Sequence, residues 1–401
     1  MKKRIPTILL VIVLTASMLT SCVYIDGTGF FDQVAGPAGD TIINVTGGGN
    51  YDVDINNPIN SNVASANKAL LSAVSVYTTS GAGSGVIYKL DKEHGTAYII
   101  TNFHVAYNTS RGAVNTEIGV CLYGQEAAEY AIKATYVGGS MKYDLAVLKI
   151  ENSTVLMQSI AAAADFADSD NVAILDTAIA VGNAKGEGIS ATVGCINVDS
   201  ETITVAFTDA RGNEYDVPLR VMRTDAAVNH GNSGGGLFND KGEVIGIVNA
   251  KNTSSATDNI GFAIPSNVAK AVAENILYYC DGKTETNVYR CMLGITVGIN
   301  ALTPVYDTQT GKVYKNETVV VKELTSNSAV TGLLQEGDVI NSITIDGAKR
   351  NVTRTYHVID TMLYARVGSS VIINVTRGGE AKDVTIPITK SMLKIAEETL
   401  E

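Results

Sequence analysis

A serine set among glycines is the feature of the sequence best suited to chemistry. Residues 229–236 read Asn-His-Gly-Asn-Ser-Gly-Gly-Gly, with the serine at position 233. Glycine adopts backbone conformations that other residues avoid, so this segment can form a strained turn. Such a turn allows the backbone N–H groups of Gly231 and Ser233 to converge on one point, as the stabilisation of a developing oxyanion requires. A turn that only links two strands would account for the glycines but not for the serine.

Two further residue types that assist a serine hydroxyl occur at the edges of apolar runs. His104 follows the apolar run of residues 97–103, and Asp144 precedes the apolar run of residues 145–150. A carboxylate at the start of a strand is partly desolvated and accepts a hydrogen bond from an imidazole N–H, which orients the ring. Each residue also has an ordinary interpretation, because surface histidines and aspartates in turns are common.

The segment around Ser233 also fits the pattern G-x-S-x-G, which marks the nucleophile of α/β-hydrolases. In that class a helix follows the serine directly, whereas here three glycines lead through Asn239 and Asp240 into an apolar run at residues 244–248. That class also places an acidic residue and then a histidine after the serine. In this chain the only histidine after Ser233 is His357. Both mismatches disfavour the esterase interpretation.

Short apolar runs separated by Gly, Asn and Asp must position these segments. Runs of this length and spacing predict an all-β barrel or sandwich rather than alternating strands and helices. One helix is predicted from residue 268 to residue 279, with Val268, Val272 and Ile276 on one face. The predicted strands cover residues 73–77, 85–90, 96–101, 132–137, 145–150, 177–181, 203–207 and 244–248.

A second unit is predicted near the end of the chain, because 401 residues are too many for one ordinary domain. The polar stretch of residues 281–290 is a plausible boundary. Beyond it, a turn at Gly337-Asp338 and a helical segment at residues 355–364 indicate mixed α and β structure. Its predicted strands cover residues 319–324, 371–375 and 384–388.

The three segments resemble those of the HtrA/Deg family of trypsin-fold serine proteases. The resemblance rests on Thr-Asn-Phe-His-Val at residues 101–105, Asp-Leu-Ala-Val-Leu at residues 144–148 and Gly-Asn-Ser-Gly-Gly at residues 231–235. It implies a mostly β fold, in which a trypsin-like double six-stranded β-barrel is followed by a smaller domain.

The same resemblance implies a role for each residue of the three segments. Ser233 would be the nucleophile, His104 the general base, and Asp144 the group that fixes the histidine tautomer. The N–H groups of Gly231 and Ser233 would form the oxyanion hole. No metal or cofactor is expected.

A pocket for the residue before the scissile bond is implied as well. Residues 261–265, Gly-Phe-Ala-Ile-Pro, resemble the stretch that closes the specificity pocket of the family. Val228, Ile260 and Phe262 are therefore expected to contact substrate, with a preference for a small or medium aliphatic P1 residue. His230 stands where the family often has proline. We expect the His230 side chain to point into solvent.

The second unit resembles a PDZ domain. Met-Leu-Gly-Ile at residues 292–295 resembles its carboxylate-binding loop, and residues 332–340 resemble its Gly-Asp turn with one extra residue. The resemblance implies that a peptide adds as a strand beside Ile295, while N–H groups at Leu293 and Gly294 receive its terminal carboxylate. An unrelated α+β domain is the alternative.

The first residues have the pattern of an export signal. Lys2, Lys3 and Arg4 precede a short apolar run at residues 7–16, which is too short to span a bilayer. Leu-Thr-Ser-Cys at residues 19–22 resembles the bacterial lipobox, in which the cysteine is acylated. We predict a lipid-anchored, extracytoplasmic bacterial lipoprotein with its lipid on Cys22. An ordinary secretory signal that contains a cysteine is the alternative.

Charge and cysteine content limit the partners. The formal net charge is −11, and no concentrated positive charge is visible, which disfavours nucleic acid as a partner. Cys280 and Cys291 flank a polar stretch, so they either close a loop as a disulfide or remain free buried thiols. The predicted boundaries are a signal at residues 1–22, a flexible tether at 23–66, a protease domain at 67–280, a linker at 281–290, a PDZ domain at 291–390 and a tail at 391–401.

These features together predict a serine endopeptidase. We expect it to hydrolyse peptide bonds of misfolded or damaged extracytoplasmic proteins without ATP, with a PDZ domain that binds peptide C-termini. The alternative is a PDZ-containing chaperone or substrate-binding lipoprotein with little proteolytic turnover. Family members are commonly trimers, so a homotrimer is a further expectation.

Overall fold

The apolar runs of the first half form a ring of strands. The computed structural model describes residues 58–108, 111–125, 130–208, 212–249, 260–282 and 285–399. The elements of this half are α1 (Pro58–Leu70), β1 (Ala73–Thr78), β2 (Gly81–Asp91), β3 (Thr96–Thr101), α2 (Phe103–Ala106), β4 (Tyr107–Asn108), β5 (Ala113–Val114), β6 (Ile118–Leu122), β7 (Ile132–Ser140), β8 (Leu145–Ile150) and α3 (Thr154–Gln158). Neighbouring strands follow the order β7-β6-β1-β2-β3-β8, and β7 also pairs with β8, so the six strands close on themselves.

The middle of the chain forms a second closed barrel. Its strands are β9 (Thr177–Gly182), β10 (Ser190–Thr208), β11 (Glu214–Thr224), β12 (Gly236–Phe238), β13 (Val244–Asn249) and β14 (Gly261–Pro265), in the spatial order β10-β11-β14-β13-β12-β9. Helix α4 (Ser266–Tyr279) follows directly. Val268, Val272 and Ile276 are buried in the main core, which confirms the predicted apolar face of this helix.

The C-terminal unit has its own sheet and its own core. Its elements are β15 (Thr286–Asn287), β16 (Tyr289–Cys291), β17 (Ile295–Asp307), β18 (Lys312–Leu324), β19 (Val339–Ile345), β20 (Ala348–Asn351), α5 (Thr355–Met362), β21 (Ser370–Arg377), β22 (Glu380–Pro387) and β23 (Leu393–Ile395). The sheet has the order β17-β18-β19-β21-β22, with β20 paired to β19. Val321, Ile343 and Ile373 are fully buried between this sheet and α5, in a cluster separate from the main core.

The end of the predicted tether is helical. Helix α1 begins at Pro58, whereas the tether was expected to extend to residue 66. Proline favours the first position of a helix, and Ala64 and Ala66 have high helix propensity. Ala69 is fully buried in the main core, and Lys68 Nζ lies 2.8 Å from an Asp165 carboxylate oxygen, so the helix is also held by tertiary contacts.

The predicted linker and tail contain paired strands. β15 pairs in parallel with β7, and β16 pairs with β23, which lies in the predicted tail. A Cβ at Gly138 of β7 would overlap the Thr286 carbonyl oxygen, so only glycine permits this close approach. The sequence did not predict these strands, because the stretch is polar and the hydrogen-bond partners of the strands are distant in sequence. Cys280 and Cys291 are both free thiols, so the disulfide alternative is wrong.

Charged residues join the C-terminal unit to the second barrel. Arg220 on β11 forms an ion pair of 2.5 Å with Asp360 on α5, and its guanidinium lies 3.9 Å from the centroid of the Tyr356 ring. Arg354 forms an ion pair of 2.8 Å with Asp199 on β10. All of these charged side chains are less than one-fifth exposed. Removing one partner of such a buried ion pair is strongly destabilising, because it leaves an unpaired charge away from water.

The predicted signal and Cys22 lie outside the described residues. Within the described part of the chain, no helix is both long and apolar enough to cross a membrane.

Candidate active site

A histidine and a buried aspartate meet at the first ring. His104 lies in the short helix α2, three residues after β3 ends at Thr101. The His104 Nδ1 atom lies 2.7 Å from the Asp144 Oδ2 atom. The Asp144 side chain is fully buried, whereas the His104 side chain is 19% exposed. The family resemblance implied this pairing, but the sequence did not indicate the short helix in which His104 lies.

Asp144 is held in an unusual backbone conformation. Its φ angle is 48°, in the left-handed region that residues other than glycine, asparagine and aspartate rarely adopt. The carboxylate accepts hydrogen bonds from the His104 backbone N–H at 3.0 Å and from Asn249 Nδ2 at 2.8 Å. Asn102 Nδ2 donates to the Asp144 carbonyl oxygen at 2.9 Å. These bonds offset the desolvation of a buried carboxylate and fix its orientation toward the imidazole.

The glycine-rich segment lies against the histidine segment. The Ser84 N–H on β2 donates to the Ser233 carbonyl oxygen at 2.8 Å. A Cβ at Gly83 would lie 2.7 Å from Val105 and 3.2 Å from that same Ser233 oxygen. A Cβ at Gly234 would overlap the Ser84 oxygen and Thr101, and would lie 3.0 Å from the Asn102 nitrogen. The segment at 233–234 is therefore packed against residues on both sides of His104.

A single buried serine ties the two barrels together at this point. The Ser84 hydroxyl donates to the Gly231 carbonyl oxygen at 2.7 Å and accepts from the Asn183 N–H at 2.7 Å. Ser84 is fully buried. Three backbone segments, at residues 84, 183 and 231–233, are thus held at fixed distances from one another.

The peptide between His230 and Gly231 has a defined orientation. The Lys185 N–H donates to the His230 carbonyl oxygen at 2.7 Å, and Gly231 has a φ angle of 96°. The carbonyl and N–H of a trans peptide point in opposite directions, so the Gly231 N–H is turned away from Lys185. A Cβ at Gly231 would overlap the Asn183 carbonyl oxygen. Glycine is therefore required here by both conformation and space.

Of the segments expected to form the specificity pocket, two are in contact. A Cβ at Gly261 would lie 2.7 Å from Val228, so β14 and the segment before Ser233 are in contact. Val228, Ile260 and Phe262 are all partly exposed. His230 is exposed, as the sequence predicted.

Asp225 anchors the start of the Ser233 segment. The Cys195 N–H donates to the Asp225 carboxylate at 2.7 Å, and this bond lowers the pKa of that carboxyl. Thr224 Oγ1 donates to the Cys195 carbonyl oxygen at 2.8 Å. The segment is thereby fastened to β10 nine residues before the serine.

Sequence reasoning missed the residues that support the site. Ser84 and Asn249 contribute polar contacts without belonging to the three segments that carry the family pattern. Their signal in the sequence is slight, because each is one polar residue in or beside an apolar strand. No group of three or more histidine, cysteine or acidic side chains that could hold a metal ion occurs among the residues described above.

The sequence is similar to known serine proteases. Residues 83–247 match the model of a trypsin-like peptidase domain. The chain is 33% identical over 312 residues to "Serine protease Do-like HtrA" of Bacillus subtilis, an alignment that covers 76% of this chain and 62% of that protein. It is 32% identical over 342 residues to "Serine protease Do-like HtrA" of Lactococcus lactis subsp. cremoris, covering 83% of this chain and 75% of that protein.

A solved structure has a similar fold. The structure of "HtrA-type protease AlgW with tripeptide" superposes with a TM-score of 0.51 at 29% sequence identity, over 83% of this chain and 97% of that one. The trypsin-like fold and these relatives define a serine-type endopeptidase. The chain belongs to the HtrA family of serine proteases. It spans less than two thirds of the Bacillus subtilis relative, at 62% of that length.

Replacing Gly231 by alanine should abolish most peptidase activity. The new methyl group would overlap the Asn183 carbonyl oxygen and would disfavour a φ angle of 96°. If the Gly231 N–H is an oxyanion donor, as the family resemblance implies, kcat should fall by at least ~10²-fold. The measurement is turnover of a fluorogenic peptide.

Gly124→Ala is the matched control for this substitution. Gly124 has a positive φ of 81°, but a Cβ there would meet nothing within 4 Å. It should lose some stability and keep full turnover. Equal kcat values for the two variants would contradict the role that the family resemblance implies for the Gly231 N–H.

Proposed function

We propose that this chain hydrolyses peptide bonds through a triad of Ser233, His104 and Asp144. The observation that carries the proposal is the bond of 2.7 Å between His104 Nδ1 and the fully buried Asp144 carboxylate, next to the segment that contains Ser233. A buried carboxylate that accepts from one ring nitrogen assigns the proton to Nδ1. The Nε2 atom is then the basic nitrogen of the ring.

In the proposed reaction, each residue has one role. His104 Nε2 removes the proton from the Ser233 hydroxyl as its oxygen attacks the scissile carbonyl carbon, and a tetrahedral oxyanion forms. The protonated imidazole then gives that proton to the departing amine, and an acyl-enzyme remains. Water, activated by the same nitrogen, releases the new carboxyl terminus and restores Ser233. Asp144 stays ionised throughout and stabilises the imidazolium.

Backbone groups and an apolar contact complete the proposed site. The Gly231 and Ser233 N–H groups form the oxyanion hole, which is supported by the fixed carbonyl of His230. Val228, Ile260 and Phe262 line the pocket for a small or medium aliphatic side chain. The close approach of Val228 to Gly261 supports this pocket, because it brings the segment before Ser233 against β14.

The proposed substrates are misfolded or damaged proteins outside the cytoplasm. Support comes from membership of the HtrA family and from the name of one relative, "Probable periplasmic serine protease do/HhoA-like" of Haemophilus influenzae. Unfolded chains present extended segments with exposed aliphatic residues, which suit an apolar pocket of this kind. Hydrolysis of a peptide bond through an acyl-enzyme requires no ATP.

Ser233→Ala and His104→Ala test the proposed triad. Each should lower the hydrolysis of unfolded casein by at least ~10³-fold, because the nucleophile or its base is lost. His94→Ala is the matched control, since His94 forms a similar pair with Asp91, with Nδ1 and Oδ2 2.8 Å apart, on the exposed surface. The His94 variant should keep full activity. Thermal melting checks that each variant is folded.

A fluorophosphonate probe separates an active protease from a binding protein with little turnover. Only an activated serine hydroxyl reacts with such a probe. We expect labelling of Ser233 in the parent chain and in His94→Ala, and none in His104→Ala. Casein cleavage that survives Ser233→Ala would refute the triad.

We further propose that residues 291–390 form a PDZ domain that binds peptide C-termini. β17 is an edge strand of its sheet, and α5 lies beside it, which is the geometry that strand addition needs. The loop before β17 is firmly held: Thr325 N–H donates to the Gly294 carbonyl at 2.9 Å, and the Ser328 hydroxyl donates to the Leu293 carbonyl at 3.0 Å. The Leu293 carbonyl and the Gly294 N–H belong to one planar peptide, so the bond from Ser328 also fixes the orientation of the Gly294 N–H. This N–H is one of the two groups expected to receive the peptide carboxylate.

Peptide binding tests the PDZ proposal. A fluorescent peptide with an apolar C-terminal residue and a free carboxylate should bind at least ~10-fold more tightly than its C-terminal amide. Gly294→Ala should remove this difference, because the new Cβ would lie 2.7 Å from the Ser328 Cα at a φ of +73°. Gly332→Ala, with a φ of +79° and open space around it, is the control. Equal affinity for acid and amide would sink the assignment.

We propose finally that the chain is an extracytoplasmic bacterial lipoprotein with its lipid on Cys22. Acyl chains contribute about 0.8 kcal/mol for each buried CH₂ group, and a second chain makes attachment stable. The expressed full-length protein should therefore enter the detergent phase in a phase-partitioning assay. Cys22→Ser should move it to the aqueous phase, whereas Cys195→Ser should not. Aqueous partitioning of the parent protein would exclude the anchor.

A further inference from the structure

The turn that presents Asp144 is short and lies between two buried strands. Ser140, the last residue of β7, pairs with Leu145, the first residue of β8. The four residues between them close with a bond of 3.2 Å from the Asp144 N–H to the Met141 carbonyl. The left-handed φ of Asp144 lies inside this turn, so its conformation depends on how the turn is held.

A carboxylate from the C-terminal segment holds this turn. The Ser140 hydroxyl donates to Glu397 Oε1 at 2.6 Å, across 257 residues of sequence. Ser140 is fully buried. The second carboxylate oxygen of Glu397 is also buried and has no hydrogen-bond partner among the described residues. Burying a carboxylate in this way is costly, so strong local contacts must keep Glu397 in place.

Backbone pairing keeps Glu397 in place. The segment just before it, β23, pairs with β16, and the Ala396 N–H donates to the Val288 carbonyl at 2.8 Å. The chain that contains Val288 continues from β15, which pairs with β7 opposite Gly138 and Gly139. The C-terminal segment is thus connected through β16 and β15 to the hairpin of β7 and β8.

The charges of the turn depend on Glu397 as well. Burial and, to a smaller extent, the nearby Arg290 lower the pKa of Lys142 to about 8, whereas the Glu397 carboxylate raises it. Without the negative charge of Glu397, the repulsion between the Lys142 ammonium in this turn and the Arg290 guanidinium would be less compensated. The hydrogen bond and the charge therefore act on the same four-residue turn.

We propose that Glu397 is a positioning residue for catalysis: its contact with Ser140 holds the β7–β8 turn so that the Asp144 carboxylate stays aligned with His104. The inference rests on the triad proposed above. Through Ser140, a residue outside the peptidase barrels would thus influence the proposed catalytic aspartate. The pocket around Val228 belongs to the second barrel, so loss of Glu397 changes kcat rather than KM.

Glu397→Ala in the full chain tests this inference. Because small misalignment of catalytic groups costs about 10-fold to 10²-fold, we expect kcat for a short fluorogenic peptide with valine at P1 to fall by that factor, with KM unchanged. Glu397→Gln retains the acceptor for the Ser140 hydroxyl and should keep most of the turnover. The neighbouring Glu398 is exposed, and Glu398→Ala is the matched control with parental kcat.

Ser140→Ala serves as the second variant, should Glu397→Ala fail to fold. It deletes only the hydroxyl that donates to Glu397, and it should lower kcat in the same way. The inference is overturned if both Ser140→Ala and the folded Glu397→Ala match Glu398→Ala in kcat, or if KM rises while kcat is unchanged.

An Asp144→Ala background separates the failure of this inference from the failure of the triad. If Glu397 acts through Asp144, then Glu397→Ala causes no further loss of residual turnover in that background. A further loss by the same factor shows that Glu397 acts elsewhere, and it overturns the inference while the triad stands. Full turnover of Asp144→Ala itself refutes the triad, whatever Glu397 does.

Discussion

The structure depends on a fully buried carboxylate, that of Asp144. A carboxylate without water costs several kcal/mol unless donors surround it. Here three donors from two residues surround it: the N–H and the imidazole of His104 after β3, and the Asn249 amide at the end of β13. The first two belong to the first ring and the third to the second barrel. The need to satisfy one charge therefore fixes how the two rings meet.

The same junction positions the nucleophile segment. Ser84 lies on β2 of the first ring, yet its hydroxyl donates to the Gly231 carbonyl oxygen and accepts from the Asn183 N–H. Its backbone N–H donates to the Ser233 carbonyl oxygen. Glycines at 83, 231 and 234 make these approaches possible, because a Cβ at each position would clash with backbone or side-chain atoms. Polar contacts between the rings, and glycines where the backbones approach closely, together hold the nucleophile segment against the first ring.

Much of the fold was predictable because strand signals are local. The predicted strands at residues 96–101 and 145–150 match β3 and β8, and the apolar face of α4 was correct. The pairing of His104 with Asp144 was expected from the resemblance of the three segments to the HtrA/Deg family, because each residue alone also has an ordinary interpretation. The helical position of His104 did not follow, because strand and helix meet within three residues.

Long-range contacts account for what the sequence did not reveal. β15 and β16 lie in a polar stretch that forms strands only because β7 and β23 supply partners. The helix that begins at Pro58 is stabilised by contacts with residues near 165 and 240. Ser84, Asn249 and Glu397 are single polar residues whose importance depends on partners far away in sequence. None of these features leaves a periodic or local pattern.

The hydrogen bond between His104 Nδ1 and Asp144 can be observed directly by proton NMR of protein labelled with ¹⁵N-histidine. A buried imidazole N–H bonded to a carboxylate exchanges slowly with water and resonates far downfield. The account predicts one such resonance, absent from Asp144→Ala and from His104→Ala, and present in His94→Ala. A spectrum without that resonance in the folded parent protein, or one in which it survives the loss of Asp144, would contradict the central claim.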